Sequence, residues 1–296
     1  AGKTTRVPLA LLNEPWLENK KIILLEPRRL TAISCAAHMA DLLNEKVGHT
    51  IGYQIRLDRK LGPKTRIEVI TEGIFTRKIQ GDPSLEDTGL VIFDEFHERN
   101  IHSDLGLALC LESFEALRND LRILVMSATM DVNTVSALMG NAPVIVSKGK
   151  SFPVKTIYRP PLNKQKKKIS IKIACTLAIK QALSETFGDI LVFLPGVKEI
   201  QQVASILEEN SDAKIHVYLL YGNLSQKDQS KAFRPSKPGE RKIVLATSIA
   251  ETSITIDGIR IVIDAGQMRI PMFSPQTGMS LLSTVQVSKA SADQRR

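Results

Sequence analysis

The sequence predicts an α/β protein with two tandem domains, each a mainly parallel sheet flanked by helices. The chain has 296 residues, 43% of them hydrophobic, which suits about two packed domains. Short apolar runs alternate with longer amphipathic stretches, a pattern typical of βαβ units. The apolar runs are continuous, as expected for parallel strands that are buried on both faces.

The first domain is predicted to cover residues 1–148. Its predicted strands are residues 21–25, 66–70, 90–93, 122–126 and 144–146, and its clearest helices are residues 29–43 and 101–117. Residues 149–168 differ, because they combine three prolines with a lysine-rich run. Proline interrupts helices and like charges resist burial, so we predict a linker here. The alternative is an exposed loop within a single domain.

The second domain is predicted to cover residues 169–296, because a complete strand–helix series follows the linker. Its predicted strands are residues 189–194, 215–220, 242–246 and 260–264, and its predicted helices are residues 169–187 and 197–210. Residues 268–273 and 278–282 alternate in the manner of a β-hairpin.

Composition limits the function classes. The formal net charge of +9 suits a polyanionic partner such as nucleic acid. No apolar run approaches the roughly 20 residues of a membrane helix, so no membrane role is expected. Three cysteines have neither zinc nor disulfide spacing, and no secretory signal opens the chain, which together predict a reduced, cytoplasmic protein. A monomer is the default expectation.

A candidate phosphate-binding sequence opens the chain as Gly2-Lys3-Thr4-Thr5. In a P-loop the lysine binds the β- and γ-phosphates and the hydroxyl residue binds magnesium. The glycine that begins the full pattern would precede Ala1, so a chance match is the alternative for this motif taken alone.

The apolar run from Leu90 to Phe93 ends in two acids, Asp94 and Glu95. An aspartate at such a strand end binds magnesium in P-loop enzymes. The adjacent glutamate is suited to polarise the attacking water. The sequence therefore predicts ATP and Mg²⁺ as cofactors, with Thr4, Asp94 and Glu95 at the metal.

Residues 94–97 spell a D-E-x-H box, followed by Glu98-Arg99. With the segment Thr71–Ile74, this box resembles the DEAH/RHA group of superfamily 2 helicases, and most of all the bacterial HrpB-type enzymes. The resemblance implies two RecA-like P-loop domains and an ATP-dependent helicase that acts on RNA more readily than on DNA. It also adds His97 to the catalytic residues.

Further motifs follow in the family's order. Residues 26–29 resemble motif Ia and residues 71–77 motif Ib, which implies nucleic-acid contacts by Arg28, Arg29, Thr71 and Arg77. Residues 127–129 resemble motif III, which implies that Ser127 and Thr129 couple the ATP site to the RNA site. Residues 191–196 resemble motif IV.

Residues 246–257 resemble motif V, which implies an RNA contact by Thr252 and a nucleotide contact by Asp257. Gln294 begins a match to motif VI and joins the catalytic set by resemblance. The family's hairpin, matched here by residues 268–282, helps to separate strands; a plain surface hairpin is the alternative.

Two aromatic side chains match the family's adenine-binding positions. His38 lies where related enzymes often carry an arginine, and Phe233 lies where they carry the opposing aromatic ring. We predict that they sandwich adenine, although a surface histidine without a role is an equal alternative for His38.

Motif VI stops after its first three positions, and the start of motif I is also missing from the sequence. The family's later arginines, one of them the arginine finger, follow the point where the chain ends. The fragment is therefore expected to hydrolyse ATP weakly or not at all. A DNA-directed translocase and a non-catalytic nucleic-acid binder are the alternative functions.

Overall fold

The chain forms two compact units, Ala1–Ser151 and Phe152–Arg296. The computed structural model describes residues 2–18, 20–127, 132–147, 153–161, 169–209, 213–251 and 256–296. Most of the predicted linker, 149–168, lies outside these ranges. Among the helices in the described ranges, none combines the length and apolar character needed to cross a membrane.

Six strands form the sheet of the first unit: β1 (Lys21–Glu26), β2 (Ile51–Ile55), β3 (Asp58–Lys60), β4 (Ile67–Thr71), β5 (Thr88–Phe93) and β6 (Arg122–Val125). Their spatial order is β3-β2-β4-β1-β5-β6. Only the β2–β3 pair is antiparallel, and the other four pairs are parallel. The central position of β1 and β5 explains their continuous apolar sequences.

Helices cover both faces of this sheet: α1 (Lys3–Leu11), α2 (Arg29–Leu42), α3 (Glu72–Gly81), α4 (Ile101–Ala116) and α5 (Val132–Leu138). Ile22 and Leu24 of β1 face α1 and α2. Ile23 and Leu25 face the other side, where α3, α4 and α5 pack. All four side chains are buried.

The strand predicted at residues 144–146 was wrong. Val144, Ile145 and Val146 adopt no strand, and Ile145 is 95% exposed. High β-propensity in three residues does not make a strand unless a neighbouring edge receives their backbone hydrogen bonds. The sequence did not predict β2 and β3, which lie beyond β4 and form the edge of the sheet opposite to β6.

The second unit repeats the plan with α6 (Ile171–Glu185), β7 (Asp189–Phe193), α7 (Val197–Glu208), β8 (Ile215–Leu220), α8 (Gln226–Phe233), β9 (Arg241–Ala246), β10 (Ile259–Asp264), β11 (Gln267–Ser274), β12 (Met279–Gln286) and α9 (Lys289–Arg295). Strands β10-β7-β9-β8 form a wholly parallel sheet in that order. One cluster packs α6 and α7 on this sheet, and a second includes Ala232 of α8.

The predicted hairpin is confirmed as the antiparallel pair β11–β12. Arg269 of β11 attaches it to the start of α7 through an ion pair with Glu199 at 3.0 Å. The guanidinium lies directly over Gly196, where an added Cβ would stand 2.5 Å from Arg269 Nη1. A glycine is therefore needed for this close approach.

Candidate active site

The site lies at the carboxyl edge of the first sheet. Glu26 ends β1, Asp94 follows β5, and Ser127 follows β6. In open parallel sheets this edge is where ligands bind, because the loops that follow the strands meet there. The N-terminus of α1 reaches the same edge.

Lys3 and Thr4, at the start of α1, contact the acids that follow β5. Lys3 Nζ lies 3.1 Å from Asp94 Oδ1 and 3.4 Å from Glu95 Oε1. The Thr4 hydroxyl donates a short hydrogen bond to Asp94 Oδ2. Gly2 caps the helix in the left-handed region with φ of 92°, a conformation that glycine adopts without strain. The structure thus brings both predicted motifs into one cluster.

The two acids are fixed by the backbone around them. The Asp94 N–H donates to the Leu25 carbonyl oxygen at 3.2 Å, and Asp94 Oδ1 accepts the Glu95 N–H at 2.8 Å. Asp94 is 1% exposed and Glu95 is 8% exposed. Glu95 has φ of 49°, which costs a non-glycine residue roughly 1–2 kcal/mol. The turn holds the Glu95 carboxylate beside Lys3.

A short 3₁₀ helix, Phe96–Glu98, completes the acidic box. His97 Nδ1 lies 3.4 Å from Glu95 Oε2, so the imidazole can orient that carboxylate. The Phe96 ring packs edge-on against Phe93 with centroids 6.2 Å apart, and Phe93 packs in the same way on Phe75 at 5.8 Å. These buried rings hold the box on the sheet.

Glu26 belongs to this site although the sequence pattern did not assign it there. Its side chain is fully buried, and neither carboxyl oxygen has a hydrogen-bond partner among the described residues. Burial, followed by the charge of Asp94, raises the pKa of Glu26 well above its usual range. In the sequence analysis, Glu26 is only the first residue of the segment that resembles motif Ia, and it has no role of its own.

Ser127 follows β6 and has a buried hydroxyl with no hydrogen-bond partner in the described part of the chain. Its neighbour Met126 ties β6 to the acidic box: the Met126 N–H donates to Phe93 O at 2.8 Å, and the Phe96 N–H donates to Met126 O at 3.2 Å. Ser127 is thereby placed next to the box. Thr129, the other predicted coupling residue, lies outside the described residues.

The residues present fit a magnesium nucleotide. No group of three or more His, Cys, Asp or Glu side chains is arranged as a metal cage in the described ranges. Magnesium requires no such cage, since it is usually held by one or two carboxylates, water and phosphate oxygens. Asp94 with Thr4 supplies such a partial set, and Lys3 supplies a cation for phosphate.

Of the predicted nucleic-acid residues of the first unit, Arg28 and Thr71 lie near strand ends, and Arg29 and Arg77 lie on helices α2 and α3. Arg28 caps α2 just after β1, and its Nη2 lies 3.7 Å from Glu98 Oε2. Thr71 ends β4 and caps α3. The side chains of Arg29 and Arg77 are exposed. Thr252 lies outside the described residues, so its predicted contact stays a prediction.

Glu72, the first residue of α3, is a buried acid at this edge. Burial raises its pKa from 4.5 to about 7, and the charges of Glu98 and Asp104 contribute in the same direction, while a hydrogen bond from Ser103 opposes them. The folded protein therefore holds a proton on Glu72 more tightly than the unfolded chain does.

This raised pKa predicts a pH-dependent loss of stability. As pH rises from about 5 to 8, the free energy of unfolding should fall by roughly 1–3 kcal/mol more in the parent than in Glu72→Gln, whose amide does not titrate. Urea unfolding at several pH values would measure the difference. Glu115→Gln, at an exposed position of α4, is the control and should follow the parent. Parallel curves for the parent and Glu72→Gln would contradict the prediction.

The predicted nucleotide residues outside the acidic cluster divide between the units. His38 is exposed on α2 of the first unit, while Phe233 ends α8 and packs partly against a core cluster of the second. Asp257 is exposed just before β10, and Gln294 lies on α9. The adenine sandwich and the roles of Asp257 and Gln294 stay predictions.

A buried arginine, which the sequence analysis placed in the motif VI match without giving it a role, joins several elements of the second unit. Arg295 of α9 places Nη2 2.9 Å from Glu251 Oε2 and Nη1 2.8 Å from Asp264 Oδ1. Its guanidinium also stacks 4.7 Å from the ring centroid of Phe193. Ser291 donates a further short hydrogen bond to Glu251. One side chain thus joins α9 to the ends of β7 and β10 and to the motif V segment.

Comparison with known proteins identifies the family. Residues 1–138 match the DEAD/DEAH box helicase family, and residues 170–282 match the helicase conserved C-terminal domain. The chain belongs to the DEAD/DEAH box helicases. These two matches together take in both units and every element of the acidic cluster.

Individual relatives place this helicase in the DEAH/RHA group, as the motifs predicted. The chain is 49% identical over 295 residues to the ATP-dependent RNA helicase HrpB of Escherichia coli, covering 100% of the chain and 36% of that protein. It is 36% identical over 296 residues to the ATP-dependent RNA helicase HrpA of Borreliella burgdorferi, again covering 100% and 36%. A crystal structure of the E. coli DEAH/RHA helicase HrpB matches with a TM-score of 0.91 and 49% identity, over 100% of the chain and 37% of that structure.

The family and the two RecA-like α/β domains are therefore confirmed. The chain spans about a third of the length of the curated relatives it matches.

Proposed function

We propose that the chain is the motor core of an ATP-dependent RNA helicase that couples ATP hydrolysis to movement along a strand. The contact of Lys3 Nζ with Asp94 at 3.1 Å and Glu95 at 3.4 Å carries the proposal. It joins a phosphate-binding lysine, a magnesium-binding aspartate and a water-activating glutamate at the carboxyl edge of one sheet.

The chain's own residues divide the chemistry. Lys3 binds the terminal phosphates, and Thr4 with Asp94 holds Mg²⁺, which when bound neutralises charge on the phosphate oxygens. Glu95 orients and polarises the water that attacks the γ-phosphate. His97, 3.4 Å from the Glu95 carboxylate, positions that base. Gly2, at the N-cap of α1, and Thr5, in the first turn of that helix, are proposed to lie beside the phosphates.

The nucleotide roles of Asp257 and Gln294, and the coupling roles of Ser127 and Thr129, are proposed from the resemblance of their motifs to those of the family. Arg28, Arg29, Thr71, Arg77 and Thr252 contact the backbone of the strand. Such contacts carry little sequence information, so binding should be tolerant of sequence and sensitive to salt.

RNA is proposed as the substrate because the relatives of this chain in E. coli and B. burgdorferi are named RNA helicases. The net charge of +9 fits either nucleic acid. A monomer in the cytoplasm is the simplest setting for this activity.

The substrate is tested by comparing how RNA and DNA stimulate ATP turnover in the full-length protein. Single strands of matched sequence and length should be compared at the same salt concentration. RNA is expected to raise turnover several-fold more than DNA, and raising the salt should weaken both effects. Greater stimulation by DNA would favour a DNA translocase. Tight RNA binding without any ATP turnover would favour a non-catalytic binder.

A further inference from the structure

We propose that Glu26 is a third acidic residue of the ATP site, one that positions the water shell of the cation held by Asp94. This inference rests on the proposed nucleotide function and deepens it. It gives Glu26 the task of a positioning residue outside the direct ligand set, separate from the arginines that follow it in the sequence.

The sheet register places Glu26 beside Asp94. Leu25 pairs with Phe93 across β1 and β5, and the Asp94 N–H donates to the Leu25 carbonyl oxygen at 3.2 Å. The next residue on each strand is an acid, so Glu26 and Asp94 are lateral neighbours. Residues paired in this way point to the same face of a sheet.

That face is the one covered by α1, the helix that carries Lys3 and Thr4. Side chains alternate along β1, so Glu26 continues the row formed by Ile22 and Leu24, which pack toward α1 and α2. An apolar residue would complete this row. Glu26 instead places a carboxyl group at the position closest to the phosphate-binding turn.

The carboxyl group has no structural task in the described residues. Both oxygens are buried and lack hydrogen-bond partners, and the neighbouring Thr31 hydroxyl donates to the Arg28 carbonyl oxygen at 2.7 Å. A buried polar group without a partner destabilises a fold. A bound ion, or water that accompanies it, is one source of the missing partner for such a group.

The ligand chemistry that fits is a hydrated divalent cation with a nucleotide. Thr4 and Asp94, which contact each other, are the residues assigned to the cation itself, and Glu26 is proposed to act on the water around it. Magnesium retains several water molecules in such sites. Residues that accept hydrogen bonds from a metal's ligands typically change metal affinity 10- to 100-fold when they are removed.

The test measures binding of a fluorescent ATP analogue to the full-length protein, in Mg²⁺ and in EDTA, for the parent and Glu26→Leu. The variant should weaken binding about 10-fold in Mg²⁺ and leave binding in EDTA unchanged. Its unfolding midpoint in urea should not fall, because leucine continues the apolar row. Glu26→Gln should change Mg²⁺-dependent binding in the same direction by a smaller factor and covers the case in which Glu26→Leu does not fold.

Glu68→Gln is the matched control. Glu68 is a buried acid on the adjacent strand β4, but it is paired with Lys78 at 2.7 Å and with Lys21 at 3.4 Å. Its loss should lower the unfolding midpoint without changing the Mg²⁺ dependence of binding.

Two results would overturn the role of Glu26: unchanged affinity in Mg²⁺, or equal weakening in Mg²⁺ and EDTA. Asp94→Asn separates this failure from failure of the proposed function. If Asp94→Asn abolishes the Mg²⁺ dependence and Glu26→Leu does not reduce it, only the inference on Glu26 fails. If the parent protein binds no nucleotide, the proposed function fails as well.

Discussion

Replacing Glu95 with glutamine is expected to lower ATP turnover in the full-length protein by roughly 10²- to 10⁴-fold, the usual contribution of a general base. The amide has nearly the same shape but cannot accept a proton from water. The binding of Mg–ATP should stay within a few-fold of the parent, because Lys3, Thr4 and Asp94 remain in place. Steady-state turnover and equilibrium nucleotide binding should be measured on the same preparation.

Glu112→Gln is the control for this experiment, because Glu112 is exposed on α4 and far along the helix from the acidic box. It should hydrolyse ATP at the parent rate. If Glu95→Gln also retains the parent rate, Glu95 is not the base, and the assignment of the acidic cluster as a hydrolytic site must be abandoned.

Replacing Arg295 with alanine is expected to destabilise the second unit by about 3–5 kcal/mol, the usual effect of removing one partner from a buried ion pair. The substitution leaves Glu251 and Asp264 without their cation and removes the stack on Phe193. Urea unfolding, followed by a probe in the second unit, would measure the loss as a lower midpoint at unchanged slope.

Arg296→Ala provides an adjacent comparison, since Arg296 is exposed and the substitution removes the same charge. Its effect should be within about 0.5 kcal/mol of the parent, as is usual for surface substitutions. If the two alanine variants lower the free energy of unfolding equally, the loss comes from the change in net charge. The buried ion pairs of Arg295 would then not be what stabilises the second unit.

The strands that the sequence predicted correctly are those in which several consecutive residues are apolar and buried. β1 and β5 are buried on both faces, so their apolar runs gave nearly correct boundaries, and the hairpin was found from its alternation. Residues 144–146 have an equally high β-propensity, but no neighbouring strand among the residues that the structure describes pairs with them. The sequence of a short segment does not show whether a partner strand is present. The strand β3 was missed because it has only three residues, all exposed, and lies at an edge of the sheet. The strand β2 lies between β3 and β4 and was missed because Gly52 and Gln54 interrupt its apolar sequence.

The residues of the candidate site also fall into two groups, those that the sequence predicted and those that it missed. Lys3, Asp94 and Glu95 belong to short motifs with a characteristic order of residues, so the sequence alone predicted that they form one nucleotide site. Glu26 was missed because a single acid carries no pattern, and only the register of β1 against β5 places it beside Asp94. Arg295 was missed because its two acidic partners lie 31 and 44 residues away along the chain. A signal for Glu26 did exist, since a charged residue ending an otherwise apolar buried strand is unusual.

The ion pairs of Lys3 imply that the acidic cluster carries its own counter-ion. The Lys3 ammonium lies 3.1 Å from Asp94 and 3.4 Å from Glu95, so the lysine that is proposed to bind phosphate offsets one of the two carboxylate charges. Lys3 would have to give up its contacts with Asp94 and Glu95 in order to bind phosphate, and Asp94 with Thr4 would then be available to hold Mg²⁺. Nucleotide affinity would then reflect the difference between the ion pairs that Lys3 makes in the free protein and the contacts that it makes with phosphate.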